Sequence, residues 1–165
     1  MPAMERQKNG IALLVVFACL AWTAAAFADF SGKVVAVKDG DTLEVLTNRV
    51  PVRVRLYGID CPEKGQAFGQ KAKRFTSDLV FGKTVKVREK DRDRYGRTVG
   101  EVIIEDGRSL NRELVRAGLA WWYQRYAPKE ADLQALERDA RKARAGLWAD
   151  ADPVPPWKWR KGKRS

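Results

Sequence analysis

Three short segments hold most of the residues in this chain that could do chemistry. They are Asp39-Gly40-Asp41-Thr42, Arg55-Leu56-Tyr57-Gly58-Ile59-Asp60-Cys61-Pro62-Glu63 and Asp93-Arg94-Tyr95-Gly96-Arg97. Together they supply carboxylate oxygens for a hard divalent cation and a spare carboxylate able to take a proton from water. They also supply guanidinium forks that match phosphate oxygens in pairs and stay charged at any working pH. That inventory suits attack of water on a phosphodiester beside a bound cation. The chain contains no histidine, which excludes Ser-His-Asp triads, histidine general bases and histidine-ligated zinc.

The elements that must position these residues read as short strands and a few helices. Val35 and Val37 alternate with smaller or polar neighbours, Asp39-Gly40 marks a turn, Leu43 and Val45 begin a second strand, and Asn48-Arg49 mark a second turn. Val50, Val52, Val54 and Leu56 then alternate with Pro51, Arg53, Arg55 and Tyr57. One face of that strand is apolar and the other basic, so Arg55 is expected to point away from the valines, towards solvent or a ligand. Phe68, Ala72, Phe75 and Leu79 recur at helical spacing, with Gly82 as the stop. Val85 and Val87, then Val102 and Ile104, resume the strand pattern around the Tyr95-Gly96 turn. Ser109 is placed to cap a short helix bearing Leu110, Leu114 and Val115. Pro128 suits the first turn of a last helix whose stripe is Leu133, Leu136, Ala140 and Ala143. The expected architecture is α+β: a five-stranded OB-type β-barrel with about three α-helices, in the order β-β-β-α-β-β-α-α.

In order and spacing, the three segments resemble the thermonuclease, or staphylococcal nuclease, family over residues 32–148. The resemblance implies that Asp41 and Asp60 bind Ca²⁺ together with the main-chain carbonyl of Cys61, and that Glu63 orients or deprotonates the attacking water. It makes Arg55 and Arg97 the catalytic arginines. It also implies endonucleolytic cleavage of DNA and RNA without sugar preference, leaving a 5′-hydroxyl and a 3′-phosphate. Tyr95 and Tyr126 match nucleotide-contacting tyrosines of the family. Tyr123 stands beside Gln124, which occupies the place of another, and Arg94 joins them as a substrate contact. Trp121 and Trp122 are further candidates for base stacking, with core packing the competing reading for at least one. The stretch 64–69 is shorter than the family's corresponding loop, which bears on single- versus double-strand preference.

The ends carry their own signals. Arg6 and Lys8 precede an apolar run over residues 11–22, and Ala26-Phe27-Ala28 fits a small-x-small cleavage site, so residues 1–28 read as a signal peptide. The run is short for a membrane span. The expectation is an exported, periplasmic or secreted protein with one domain over residues 29–149, no stable span after cleavage, a monomeric state and no implied protein partner. With 32 Lys and Arg against 21 Asp and Glu, the chain is expected to meet a polyanion such as DNA or RNA. After cleavage Cys61 is the only cysteine, so no internal disulfide forms, and a thiol-nucleophile role for it lacks any partner group. Residues 150–165 form a Pro-rich, basic, Trp-containing tail expected to be mobile, either a tether for nucleic acid or a solubilising end. Two rivals stand beside the nuclease reading: a non-catalytic nucleic-acid-binding module of the same fold, and a basic envelope protein that binds anionic polymers.

Overall fold

The computed structural model describes residues 28–162. The signal-peptide reading of residues 1–28 therefore falls almost wholly outside the described residues. The first three strands follow the alternation expected from the sequence: β1 (Phe30–Asp39), β2 (Thr42–Thr47) and β3 (Val50–Leu56). They form an antiparallel meander. Asn48 and Arg49, both with positive φ, make the two-residue turn between β2 and β3, a geometry whose twist matches that of the flanking strands. A two-residue strand, β4 (Ile59–Asp60), precedes helix α1 (Gly69–Val80). The hairpin β5 (Thr84–Arg92) and β6 (Thr98–Ile103) follows, and then α2 (Leu110–Arg116), β7 (Trp121–Trp122) and α3 (Ala131–Lys142). A 3₁₀ turn, Gly146–Ala149, leads to a last helix, α4 (Pro156–Gly162).

Five strands close into a barrel in the order β1-β2-β3-β6-β5. The closure joins partners far apart in sequence: β1 runs antiparallel to β5, and β3 runs parallel to β6. Val34, Leu43, Val45, Val54, Val87 and Val102 fill the interior, and Ala72, Leu110 and Leu114 from the helices seal it. The fold is thus the OB-type α+β barrel expected, with one helix more than the expected three. The additional helix, α4, lies in the segment expected to be a mobile tail. Its Pro156 is buried, and Trp157 packs on a second apolar cluster of Trp121, Ala140, Leu147 and Trp148.

Other departures have local causes. In β3, Val54 is buried but Val50 is exposed, because the apolar face extends beyond the covered part of the barrel. In α1 the buried stripe is Ala72, Thr76 and Val80, one position on from the expected Phe75 and Leu79, which are only partly covered. Thr76 can be buried because its hydroxyl donates to the Gly40 carbonyl (2.6 Å), which satisfies both groups. Ser109 occupies the N-cap of α2, where its carbonyl accepts the Glu113 N–H, but its hydroxyl makes no capping bond. Pro128 lies ahead of α3, which begins at Ala131. Among the described residues, no helix is long and apolar enough to cross a membrane.

Candidate active site

Two glycines permit the close approaches that build the site, one between the β1–β2 turn and Cys61 just after β4, the other between α1 and the Glu63 loop. A Cβ on Gly40 would lie 2.8 Å from the Ala72 Cβ and 2.9 Å from the Cys61 Sγ. One on Gly69, the first residue of α1, would lie 2.0 Å from the Glu63 carbonyl oxygen. Glycine lets the backbone approach two side chains at residue 40 and another backbone at residue 69. The first contact sets Asp41 against Cys61, whose N–H donates to Asp41 Oδ2 (2.7 Å). The second sets the backbone of Glu63 against the start of α1. Gln66 holds the same loop by accepting the Glu63 N–H at its Oε1 (3.2 Å). Asp60 is positioned by pairing with Trp121 across β4 and β7.

Arg55 projects from β3 into this pocket. Its Nη2 lies 3.0 Å from Asp41 Oδ2 and 2.9 Å from Asp60 Oδ1, so one nitrogen gathers oxygens from both carboxylates. Its Nη1 donates to the Leu56 carbonyl (3.0 Å). Burial alone would depress the Arg55 pKa, but Asp41 and Asp60 outweigh burial and raise it. Asp60 is 1% exposed, and burial pushes its pKa up even though two arginines oppose the shift. Burial, with Asp41 beside it, raises Asp39 to about 7. The sequence offered no reason to place Asp39 beyond its turn. Burial pushes the Cys61 thiol well above its ordinary range, which leaves it a poor nucleophile.

A second arginine that sequence reasoning missed enters from α4. Arg160 Nη2 donates to Asp60 Oδ2 (2.8 Å), while Nη1 reaches Glu63 Oε1 (2.7 Å) and Asp60 Oδ1 (3.3 Å). Burial works against its charge, but these bonds prevail and raise its pKa. The only sequence signal was Pro155-Pro156, with the second proline able to open a helix.

The pocket therefore contains the carboxylates of Asp39, Asp41, Asp60 and Glu63 around two guanidiniums. The oxygens of Asp41 and Asp60 are of the hard kind a divalent cation takes. Among the described residues, no three Asp, Glu, His or Cys side chains are grouped to hold a metal. A cation here would take Asp41 and Asp60 and complete its shell with a main-chain carbonyl, water or substrate oxygens.

The remaining candidates form two other groups. Arg97 is held by Asp93, which accepts from its Nε (2.6 Å) and its N–H (3.0 Å). Tyr95 is 68% exposed, with the Arg94 and Arg97 guanidiniums 4.9 and 5.6 Å from its ring centre. This turn leads directly into β6, where Val99 is the register partner of Arg55. Tyr123 and Tyr126 meet edge to face at 4.8 Å, and Tyr126 is 64% exposed. Trp121 and Trp122 are both buried, so neither offers a face to substrate. Trp122 donates to the Ala127 carbonyl (2.9 Å), and Trp121 packs edge-on against Trp148.

A small OB-type barrel with acidic and arginine side chains gathered at one site is suited to phosphodiester hydrolysis. Comparison with known proteins identifies the family. Residues 53–150 match the model of the staphylococcal nuclease homologue family. The chain is 50% identical over 136 residues to an "Uncharacterized endonuclease" of Escherichia coli O157:H7, covering 82% of this chain and 88% of that protein. It is 45% identical over 149 residues to a "Micrococcal nuclease" of Shigella flexneri, covering 85% and 86%. It is 44% identical over 169 residues to "Protein ParB" of Escherichia coli, covering 96% and 92%. The chain belongs to the staphylococcal nuclease family, and its enzyme class is that of a nucleic-acid hydrolase.

Proposed function

We propose that this protein is an exported, Ca²⁺-dependent endonuclease that hydrolyses DNA and RNA without sugar preference, leaving 5′-hydroxyl and 3′-phosphate ends. The observation that carries this reading is the convergence of the Asp41 and Asp60 carboxylates on Arg55 within hydrogen-bonding distance. Asp41 and Asp60 would hold Ca²⁺, which when bound supplies Lewis-acid stabilisation of the phosphate oxygens. Glu63 orients a water and takes its proton as the water oxygen attacks phosphorus. The bond from phosphorus to the 5′ oxygen breaks, and that oxygen takes up a proton from solvent. Arg55 and Arg97 face the negative charge that builds on the phosphate oxygens, where preorganised donors are worth several kcal/mol. Tyr95, Tyr123, Tyr126 and Arg94 receive the bases and backbone of an unpaired strand, which aromatics bind with little sequence preference. The protein acts as a monomer.

The test is cleavage of end-labelled single-stranded DNA with Ca²⁺ and with chelator, reading the product ends. Cleavage with Ca²⁺ alone, leaving 3′-phosphates, supports the reading. Salt-sensitive binding without turnover under every metal would replace it with the binding-module alternative.

A further inference from the structure

We propose that α4 is an intramolecular latch that occupies the active site and must leave before cation and nucleic acid can enter together. The proposal rests on the catalytic reading above and extends it to regulation of the same pocket. Arg160 engages both oxygens of Asp60 and one of Glu63, the groups assigned to holding the cation and activating water. Arg55 already takes one position on Asp60 Oδ1, so a second guanidinium spread over both Asp60 oxygens and one of Glu63 competes with a divalent cation for the remaining lone pairs and repels it. Three residues earlier, Trp157 stacks on Tyr123 with ring centres 5.0 Å apart and planes inclined by 4°. That is the geometry a nucleic-acid base would adopt on the tyrosine. One short helix therefore places a positive charge on the cation's carboxylates and a flat aromatic on a base platform.

The fastening is suited to release. A seven-residue helix has little stability of its own in water, so α4 persists because it is docked. Its anchors are Pro156, Trp157 against Trp121 and Tyr123, and a hydrogen bond from the Gln66 amide to the Val154 carbonyl. A half-open cleft of about 90 Å³, lined by Pro62, Phe68, Trp121 and Val154 among others, runs along the segment, so the docking does not close the interface completely. Arg160 and Glu63 are each more than a third exposed as side chains, which lets salt and incoming ions compete with that bond.

A closed latch lowers apparent cation affinity by the fraction of molecules that are open. Ca²⁺ binding is measured by calorimetry for the wild type, Arg160→Gln and Lys161→Gln, the last removing a neighbouring charge as a control. Arg160→Gln is expected to bind Ca²⁺ about tenfold more tightly, with Lys161→Gln close to wild type. Hydrogen exchange of residues 156–162 in the wild type is expected to quicken when Ca²⁺ and oligothymidylate are added together. Equal Ca²⁺ affinity in all three proteins, weaker binding by Arg160→Gln, or unchanged protection of α4 would overturn the latch while leaving the nuclease reading intact. Ca²⁺ bound by none of them would overturn both.

Discussion

Arg55 is held in place by residues from three separate elements, whereas Arg97 is held by the turn it belongs to. The Arg55 pocket depends on β3, the β1–β2 turn and β4, brought together by the approach of Gly40 to the Cys61 side chain and by the Cys61 N–H bond to Asp41. Its charges are buried, and each guanidinium–carboxylate contact is also a structural contact. The 93–97 turn is closed by its own hydrogen bonds: Asp93 N–H to the Arg97 carbonyl and Gly96 N–H to the Asp93 carbonyl. Its Arg94 and Tyr95 are exposed, while Asp93 and Arg97 are half-buried. One region ties chemistry to folding, and the other presents chemistry on a local loop.

The largest effect that would expose this difference is that of Arg55→Ala. It leaves Asp41 without a cationic partner and Asp60 with Arg160 alone, a loss of about 3 kcal/mol in stability. Activity should fall with it. Denaturant melts with chelator and with Ca²⁺ check both points: Ca²⁺ should restore part of the stability of the variant. A variant as stable as wild type in chelator would break the contrast.

Arg97→Ala should behave in the opposite manner. Turnover falls about 10²–10³-fold, while stability changes by less than about 1 kcal/mol. Single-turnover kinetics beside a thermal melt would show it. A melt shifted as far as that of Arg55→Ala would mean that the turn is structurally coupled to the barrel.

Gly40→Ala tests the joint rather than the charges. The new methyl meets Ala72 and Cys61 at under 3 Å, and overpacking of this kind costs about 1–3 kcal/mol. Urea midpoints for the variant and wild type measure it, and an unchanged midpoint would show that the turn can yield.

The smallest expected effect comes from pH. Burial would raise the Asp93 pKa, but hydrogen bonds from the Arg97 side chain and from the Arg97 and Tyr95 N–H groups hold it below its ordinary 3.8. A depressed folded value means that its contribution is complete above the unfolded pKa and is lost as pH falls through the folded one. Asp93→Asn should therefore be less stable than wild type near neutral pH, by under about 1 kcal/mol. The two stability curves should converge in strong acid. Curves that stay parallel down to that range would remove Asp93 from the account.

Both regions are largely legible in the order of residues along the chain. Alternation of apolar and polar residues is a local signal, and it marks β1 to β3, β5 and β6. Asp41, Asp60, Glu63, Arg55 and Arg97 stood out through the resemblance of their three segments to the family. The two-residue strands β4 and β7 are not legible, because two residues carry no period. Nor is the turned stripe of α1, since Thr76 is buried for the sake of a carbonyl 36 positions earlier. Trp121 and Trp122 look alike as stacking surfaces and as core, and only their neighbours show them to be core.

By itself the sequence determined which residue types are available and which segments could be strand or helix, because these follow from side-chain chemistry and short-range backbone preference. Tertiary structure alone decided that Arg55 neutralises Asp41 and Asp60, that Asp39 joins them, and that Arg160 returns from the far end of the chain to the same carboxylates. Those outcomes depend on how the barrel closes and where the tail docks. Burial then makes each charge find a partner wherever in the sequence that partner lies.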